Sequence, residues 1–372
     1  MPDHVIAPDT VSLLALVPEL VGFQPRASLV LVTFRDGLSG GTLRVDLPPG
    51  ADDLDEENCE NLRRFAATLI GMVCKVRGAD ALLAVAYSDA SCADGAPAAG
   101  LARELRQAAS TAGFPLLDLL YVAADGWGDY EQGRRGDRGA LDSALWVRRT
   151  DSDAGRLRRS PREEAALPAV APKERSRTAE ALEVLRSKAE QPDPIWFAEY
   201  SAGWREEEVG AIVTALTAHV LSYPWARDVV LFTWGWGVHE GRRALRFQER
   251  HSRGEPVDDE EIAMALAGQS SLRRPSTPRV ERAIRLLREV AARLTGADRA
   301  PALASLAWLN WALGRGSLAG EYVEQARAVD PGYSFAELVE TMLTAGMLPE
   351  WVFREPQASR QARRAAARGR RA

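Results

Sequence analysis

The hydrophobic pattern of this chain changes character near residue 150, and that change divides what the chain can fold into. Ahead of it, apolar runs of strand length alternate with segments of helical spacing; behind it, only helical spacing recurs. A sheet layered with helices and an all-helical array bury their apolar faces in different ways. At 372 residues the chain is long enough to build both.

Thr10 is placed to cap an apolar segment, Val11–Val21, that stops at Gly22, and Pro18 within it predicts two short helices. Ser28–Phe34 is a continuous run rich in Leu and Val. Thr42–Leu47 alternates Leu43, Val45 and Leu47 with Arg44 and Asp46, and the Gly40-Gly41 pair between the two runs predicts a hairpin. Asn58–Val76 carries Leu62, Phe65, Ala66, Leu69, Ile70, Val73 and Val76 at helical spacing, with Cys74 expected in the core on the same face. Ala81–Tyr87 reads as a buried strand, Ala98–Ala112 as a second helix and Leu116–Ala123 as another strand. Trp127 and Trp146 mark one further hairpin or edge strand. Strand, helix, strand, helix, strand with short links predicts right-handed crossovers. The fold class expected for residues 1–150 is therefore α/β, with a mixed, mostly parallel sheet.

Residues 151–177 are rich in charge, Pro, Ser and Gly and read as a linker or long loop. An all-helical domain is expected over residues 178–352, with helices at Thr178–Ala189, Trp204–Leu221, Trp225–Gly237, Asp259–Ala267, Pro278–Leu294, Ala302–Leu313, Leu318–Val329 and Ser334–Ala345. Val229–Phe232 would also suit a strand, but Ser222 and Pro224 form a helix start. Residues 353–372 hold seven arginines against the single acid Glu355 and read as a disordered tail.

Within the helical half, Ala300–Pro331 has the spacing of one helix-turn-helix repeat of tetratricopeptide type. Leu303, Leu306 and Ala307 fall on its first helix; Ala319, Val323, Ala326 and Pro331 fall on its second helix and its stop. Such a unit buries its apolar face only by stacking on neighbours. Asn310 stands where the repeat usually has an aromatic residue, and no second copy follows in phase. One such pair packed inside a helical domain is expected, not a solenoid.

Composition narrows the function classes. Forty-seven Lys and Arg against 52 Asp and Glu give a net charge of −5, which argues against a generic nucleic-acid binder. Cys59, Cys74 and Cys92 form no CxxC pair, so neither disulfides nor zinc are expected. No signal peptide and no membrane-length apolar run is visible, which predicts a cytoplasmic protein. GxxxxGK[ST] and HExxH are both missing from the sequence.

The candidate ligand site follows from topology. Asp46, Asp89 and Asp125 each follow a predicted strand, and in parallel sheets ligands gather outside the strands' carboxyl ends. Three such carboxylates suit magnesium, and the ion could hold a phosphate. Aspartates in these positions also cap turns and helices, which is the competing reading. Arg44, two residues from Asp46 on one strand face, is either a ligand contact or an ordinary ion pair. His4, His219, His239 and His251 show no ligand spacing. Trp225, Trp234 and Trp236 read as packing anchors, and Trp234-Gly-Trp-Gly lacks the third glycine of a dinucleotide loop. The arginine tail is the one feature that suits non-specific nucleic-acid binding.

The run Leu13–Val32, with Arg44-Val-Asp-Leu-Pro-Pro, Trp225-Ala-Arg-Asp, Trp308-Leu-Asn-Trp and Asp330-Pro-Gly-Tyr-Ser, resembles a large actinobacterial family known as domain of unknown function 4192. The likeness weakens around Gly126–Arg177, where Gly126-Trp-Gly-Asp-Tyr-Glu replaces the family's usual Trp- and Cys-bearing segment. The resemblance implies a cytoplasmic protein and carries no catalytic residues with it. The expectation from the whole sequence is a non-enzymatic interaction or scaffold protein that binds a protein or anionic partner. The rival is a metal-dependent hydrolase or phosphate-ligand enzyme using Asp46, Asp89 and Asp125.

Overall fold

The structure, a computed structural model, describes residues 9–353 apart from residues 22, 36–37, 54, 77, 132, 152–159, 189–191 and 257–258. The arginine-rich stretch and His4 lie outside the described residues. The chain divides into two compact units that meet in sequence between Glu163 and Glu164.

In the first unit, helix α1 (Thr10–Val21) precedes the hairpin strands β1 (Ser28–Arg35) and β2 (Leu38–Asp46). Helix α2 (Glu56–Cys74), β3 (Ala81–Tyr87), α3 (Ala99–Thr111) and β4 (Leu116–Val122) follow. A short hairpin, β5 (Gly126–Asp129) and β6 (Arg135–Asp137), leads into α4 (Arg138–Asp151). The six strands lie in the order β2-β1-β3-β4-β5-β6. Only β3 and β4 pair in parallel; the other four neighbouring pairs are antiparallel.

The expected mostly parallel sheet is therefore corrected to a mixed, mostly antiparallel one. The physical reason lies in β1. Helix α2 does join two strands running in the same direction, β2 and β3, as a crossover should. However, β1 is inserted between them, antiparallel to both. Continuous apolar strands usually signal a parallel sheet because parallel sheets are covered on both faces. Here the covering is present without the pairing. Leu29, Leu31, Leu82, Ala84, Leu119 and Tyr121 face Leu62, Leu69 and Ile70 of α2 and Leu101 and Leu105 of α3. The alternate residues Val30, Val32, Leu83, Val85, Leu120 and Val122 form the opposite core with Leu14 and Val17 of α1 and Leu141 and Leu145 of α4. Every residue of β3 is buried, and each large side chain so removed from water contributes about 1.5–3 kcal/mol.

Three local expectations also change. Helix α1 runs unbroken through Pro18, because Leu14–Pro18 are all buried and their packing offsets the hydrogen bond proline forfeits. Its start is held by Asp9, whose Oδ1 accepts the Ser12 N–H at 2.7 Å. Cys74, expected in the core, is exposed; it ends α2, and the inward position falls to Val73, while the buried thiol is Cys59. Trp127 lies in the predicted hairpin, but Trp146 belongs to α4. The Trp127 ring is laid across Gly136 on the neighbouring strand, where an added Cβ would lie 2.5 Å from its Cε2.

After the single turn α5 (Pro161–Glu164), the second unit is helical. It comprises α6 (Pro172–Ser187), α7 (Pro194–Ser201), α8 (Ala211–Ser222), α9 (Pro224–Trp236), α10 (Val238–Ser252), α11 (Glu260–Ala265), α12 (Thr277–Arg293), α13 (Ala300–Ala312), α14 (Gly316–Val329) and α15 (Ser334–Thr344). Helix α6 starts six residues inside the segment read as a linker, with Pro172 in its first turn. The single predicted helix Trp204–Leu221 is replaced by a turn followed by α8, because Gly210 caps α8 and a short 3-10 turn at Glu206–Glu208 precedes it. Helices α7 and α10 were not legible in the hydrophobic pattern. The region Val229–Phe232 is helical, as Pro224 predicted.

The core of this unit is aromatic. Trp236, Trp308, Trp311 and Trp351 form a cluster with ring centroids 5.2–6.3 Å apart. Each indole N–H donates to a backbone carbonyl: Trp236 to Arg273, Trp308 to Leu266, Trp311 to Met347 and Trp351 to Ala312. Burial of the rings thus leaves none of these four donors unsatisfied. Helix α13 is buried on every side except at Pro301, which explains why it shows no apolar stripe. Helix α14 packs directly on it through Ala319, Val323 and Ala326.

Beside this core sits a buried charge pair. Arg227 donates through Nε and Nη2 to Asp228 Oδ1 at 3.0 and 2.7 Å, and through Nη1 to the Tyr333 hydroxyl at 3.0 Å. Its guanidinium carbon lies 3.8 Å from the Phe335 ring centroid. Gln248 donates to the other carboxylate oxygen at 3.3 Å. Burial pushes the Asp228 carboxyl above its ordinary value, partly offset by Arg227.

Candidate functional site

Strands β2, β3 and β4 all run in one direction, so Asp46, Asp89 and Asp125 fall toward the same end of the sheet. There the likeness between them stops. The backbone of Asp46 is separated from the end of β3 by β1, a distance of about 9.5 Å over two strand spacings. Asp46 is largely exposed and pairs with Arg44 at 2.6 Å; Arg44 also donates to the Arg26 carbonyl at 3.2 Å. Asp89 is exposed in the loop after β3. Asp125 accepts from the Ser91 hydroxyl at 2.5 Å and the Cys92 N–H at 2.8 Å, fastening that loop to the turn before β5. These hydrogen bonds lower its carboxyl to about 2. Among the described residues, no group of three or more His, Cys, Asp or Glu side chains is placed to hold a metal ion. Of the histidines, His219 is buried with its ring edge-on to Tyr223, His239 lies 3.0 Å from Glu240, and His251 stacks on Phe247.

A different arrangement stands out in the second unit. Asp193 caps α7, its Oδ1 accepting the N–H groups of Ile195 and Trp196 at 2.9 and 3.0 Å, and Pro194 fills the first turn. One face of the helix is anchored inward. Phe197 packs against Trp234 and Trp204, and the Trp234 indole donates to Ser201 at 3.1 Å. The opposite face carries Trp196 and Tyr200, four residues apart and therefore neighbours on the helix surface. They are 54% and 56% exposed, far more than large aromatic side chains usually are. Their rings stack at 5.0 Å with an interplanar angle of 11°, and Tyr200 meets Trp204 edge-on at 5.4 Å.

Trp204 is also a wall of a cavity of about 430 Å³ between the turn that follows α7 and helix α12. Arg205 and Glu207 line it from the turn, and Arg282, Arg285 and Leu286 line it from one face of α12. The turn is fixed by its own bonds, Glu208 accepting the Arg205 N–H at 2.9 Å and returning its N–H to the Arg205 carbonyl at 3.0 Å. Helix α12 is held against the base of α7 by Arg279, which bonds Glu199 at 2.5 Å and the Thr233 carbonyl at 3.0 Å. Three arginines and one glutamate thus line one space. Arginine stays charged at any physiological pH and presents a planar fork of donors that matches carboxylate or phosphate oxygens. A volume of this size suits a small ligand or one group of a larger partner.

None of these residues belongs to the site expected from the sequence. The signal was the spacing Trp196, Tyr200, Trp204, hidden because the helix carrying it is only eight residues long. Arg282 and Arg285 stand at exposed positions of α12, where arginines carry no distinguishing pattern.

Comparison with protein families places the chain. It belongs to the domain of unknown function 4192 (DUF4192) family. The family model matches residues 11–350 and so takes in both units, including the acidic end of the sheet and the arginine cavity. Comparisons with curated proteins and with solved structures gave no match. The DUF4192 resemblance read from the opening run and the C-terminal block is thereby confirmed, and the family's description assigns no activity.

Proposed function

We propose that this DUF4192 protein is a non-enzymatic interaction protein whose helical unit captures an anionic group of its partner in the Arg205–Arg282–Arg285 cavity. The observation that carries the reading is that three arginines line one cavity beside an exposed aromatic stack. Rigidity supports it. Helix α12 packs on α13, and α13 on α14, whose spacing is that of one tetratricopeptide-like pair, so Arg282 and Arg285 stand on a helix backed by a buried scaffold. Titration calorimetry with inorganic phosphate tests the reading on the full chain. Saturable binding is expected, and it should be lost in Arg282→Gln/Arg285→Gln. No binding by the wild type, or equal binding by the double variant, overturns the proposal.

The second reading, a magnesium-dependent hydrolase or phosphate-ligand enzyme, draws support from the shared direction of β2, β3 and β4, which brings Asp46, Asp89 and Asp125 to one end of the sheet. Magnesium should then raise the thermal midpoint, and Asp125→Asn should abolish the rise. A midpoint indifferent to magnesium removes this alternative.

A further inference from the structure

Helix α12 ends on a pair of arginines that stand apart from the cavity. The Leu294 N–H closes the helix on Val290, and the carbonyls of Ala291 and Ala292 are left for side chains. Arg299, just before α13, donates through Nε to Ala291 at 2.7 Å. Arg175, in the first turn of α6, donates through Nε to Ala292 at 3.3 Å. With consecutive carbonyl oxygens roughly 3.5 Å apart in a helix, the two Nε atoms are held within about 10 Å of one another.

Capping alone does not call for both cations. The end of a helix carries about half a negative charge, which a single arginine more than offsets. The acids of the adjoining turns are already engaged, Asp298 by Arg186 at 2.5 Å and Glu289 by Arg293 at 2.5 Å. Among the described residues neither Arg175 nor Arg299 has an ion-pair partner. Burial, and then the like charge of Arg175, hold the Arg299 guanidinium below its ordinary value. Both side chains are half-buried, so their ends remain within reach of solvent. A guanidinium bound through Nε keeps the edge formed by Nη1 and Nη2, whose two N–H groups pair with both oxygens of one carboxylate. Two such edges accommodate two carboxylates, one oxygen for each N–H. A single phosphate has too few terminal oxygens to serve them all.

We propose that Arg175 and Arg299 form a binding site for a short aliphatic dicarboxylate, one carboxylate on each guanidinium. Two negative charges then meet two positive ones. Neither arginine lines the cavity of Arg205, Arg282 and Arg285, so the site does not depend on it.

Titration calorimetry of the full chain with succinate tests the proposal. Saturable binding is expected, and acetate, which engages one guanidinium at a time, should bind at least about tenfold more weakly. Arg175→Lys keeps the charge and removes the planar fork, and it should weaken succinate at least about tenfold. Arg299→Gln should weaken succinate as much, but it also uncaps α12; Arg175→Lys, which gives up the longer of the two bonds, is the variant expected to keep the wild-type melting temperature. Arg282→Gln/Arg285→Gln should leave succinate binding unchanged, which separates this site from the cavity. No binding of succinate, or equal binding by Arg175→Lys, overturns the proposal. Acetate as tight as succinate, or phosphate displacing succinate with equal affinity, would replace the dicarboxylate with a single oxyanion. Succinate binding lost in Arg282→Gln/Arg285→Gln but not in Arg175→Lys would move the ligand into the cavity and remove this site.

Discussion

Removing the carboxylate of Asp228 tests whether the buried pair at the start of α9 holds the helical unit together. In Asp228→Ala, Arg227 loses two hydrogen bonds, at 3.0 and 2.7 Å, and keeps only the Tyr333 hydroxyl and the face of Phe335. The guanidinium stays buried, since its side chain is only 8% exposed. A buried cation stripped of its partner costs about 3–5 kcal/mol. For a unit of this size, that corresponds to a drop of roughly 6–20 °C in melting temperature. Urea unfolding followed by tryptophan fluorescence is the assay, because eight of the ten tryptophans, Trp196 through Trp351, lie in the second unit. The apolar replacement Arg227→Met/Asp228→Leu provides the decisive comparison. Burial already works against the Asp228 carboxylate, so removing both charges should cost much less than removing one. A single variant within about 1 kcal/mol of wild type, or a double variant as unstable as the single, would refute the reasoning.

Gly136→Ala should destabilise the first unit by about 1–3 kcal/mol, because the added methyl would intrude on the buried Trp127 ring; Trp127→Leu in the same background should recover part of the loss, both read from urea midpoints. Asp125 titrates at about 2 in the folded chain, below its ordinary value of 3.8. Its contribution is therefore complete above the unfolded value and is lost as pH falls through the folded one. Asp125→Asn should flatten the acid limb of stability between about pH 4 and pH 2 and leave the neutral limb parallel to wild type. Trp351→Ala should cost about 3–5 kcal/mol, since it removes a fully buried ring from the four-tryptophan cluster and orphans the Ala312 carbonyl. Chemical denaturation of the second unit measures it.

Elements with an uninterrupted apolar signature were legible in the sequence; elements defined by their partners were not. Strands β1, β3 and β4 and helices α2, α12 and α14 announced themselves by runs or spacing that the structure repeats, and α9 by the proline at its start. The pairing of β1 did not. Ser28–Arg35 has the same composition whether its neighbours run parallel or antiparallel, and β3 docking on its free edge, together with the antiparallel β4–β5 and β5–β6 pairs, made the sheet mostly antiparallel. Helix α10 escaped because its fully buried residues are only Gly241 and Ala244, and the larger side chains that pack on the core, Leu245 and Phe247, are two residues apart and form no helical stripe. Pro18 misled in the opposite direction, since a local rule about proline gave way to the packing of four neighbouring side chains.

The two candidate sites differ in the same way. Asp46, Asp89 and Asp125 were found because each follows a strand, a relation that can be counted along the chain. Their separation across β1 depends on strand order, which cannot be counted. The arginine cavity joins residues about 80 positions apart, Arg205 with Arg282 and Arg285, and neither segment is unusual alone. What brings them together is a set of contacts in the aromatic core: Phe197 and Ser201 held by Trp234, and Arg279 reaching back to Glu199. The tryptophans read from the sequence as packing anchors therefore do hold the structure around the cavity. Trp234 fixes the helix that displays Trp196 and Tyr200, while Trp204 leaves the core to form the cavity wall. Loosening Trp234 should disturb ligand capture as strongly as removing an arginine, because the geometry of the cavity depends on the same side chains that close the core.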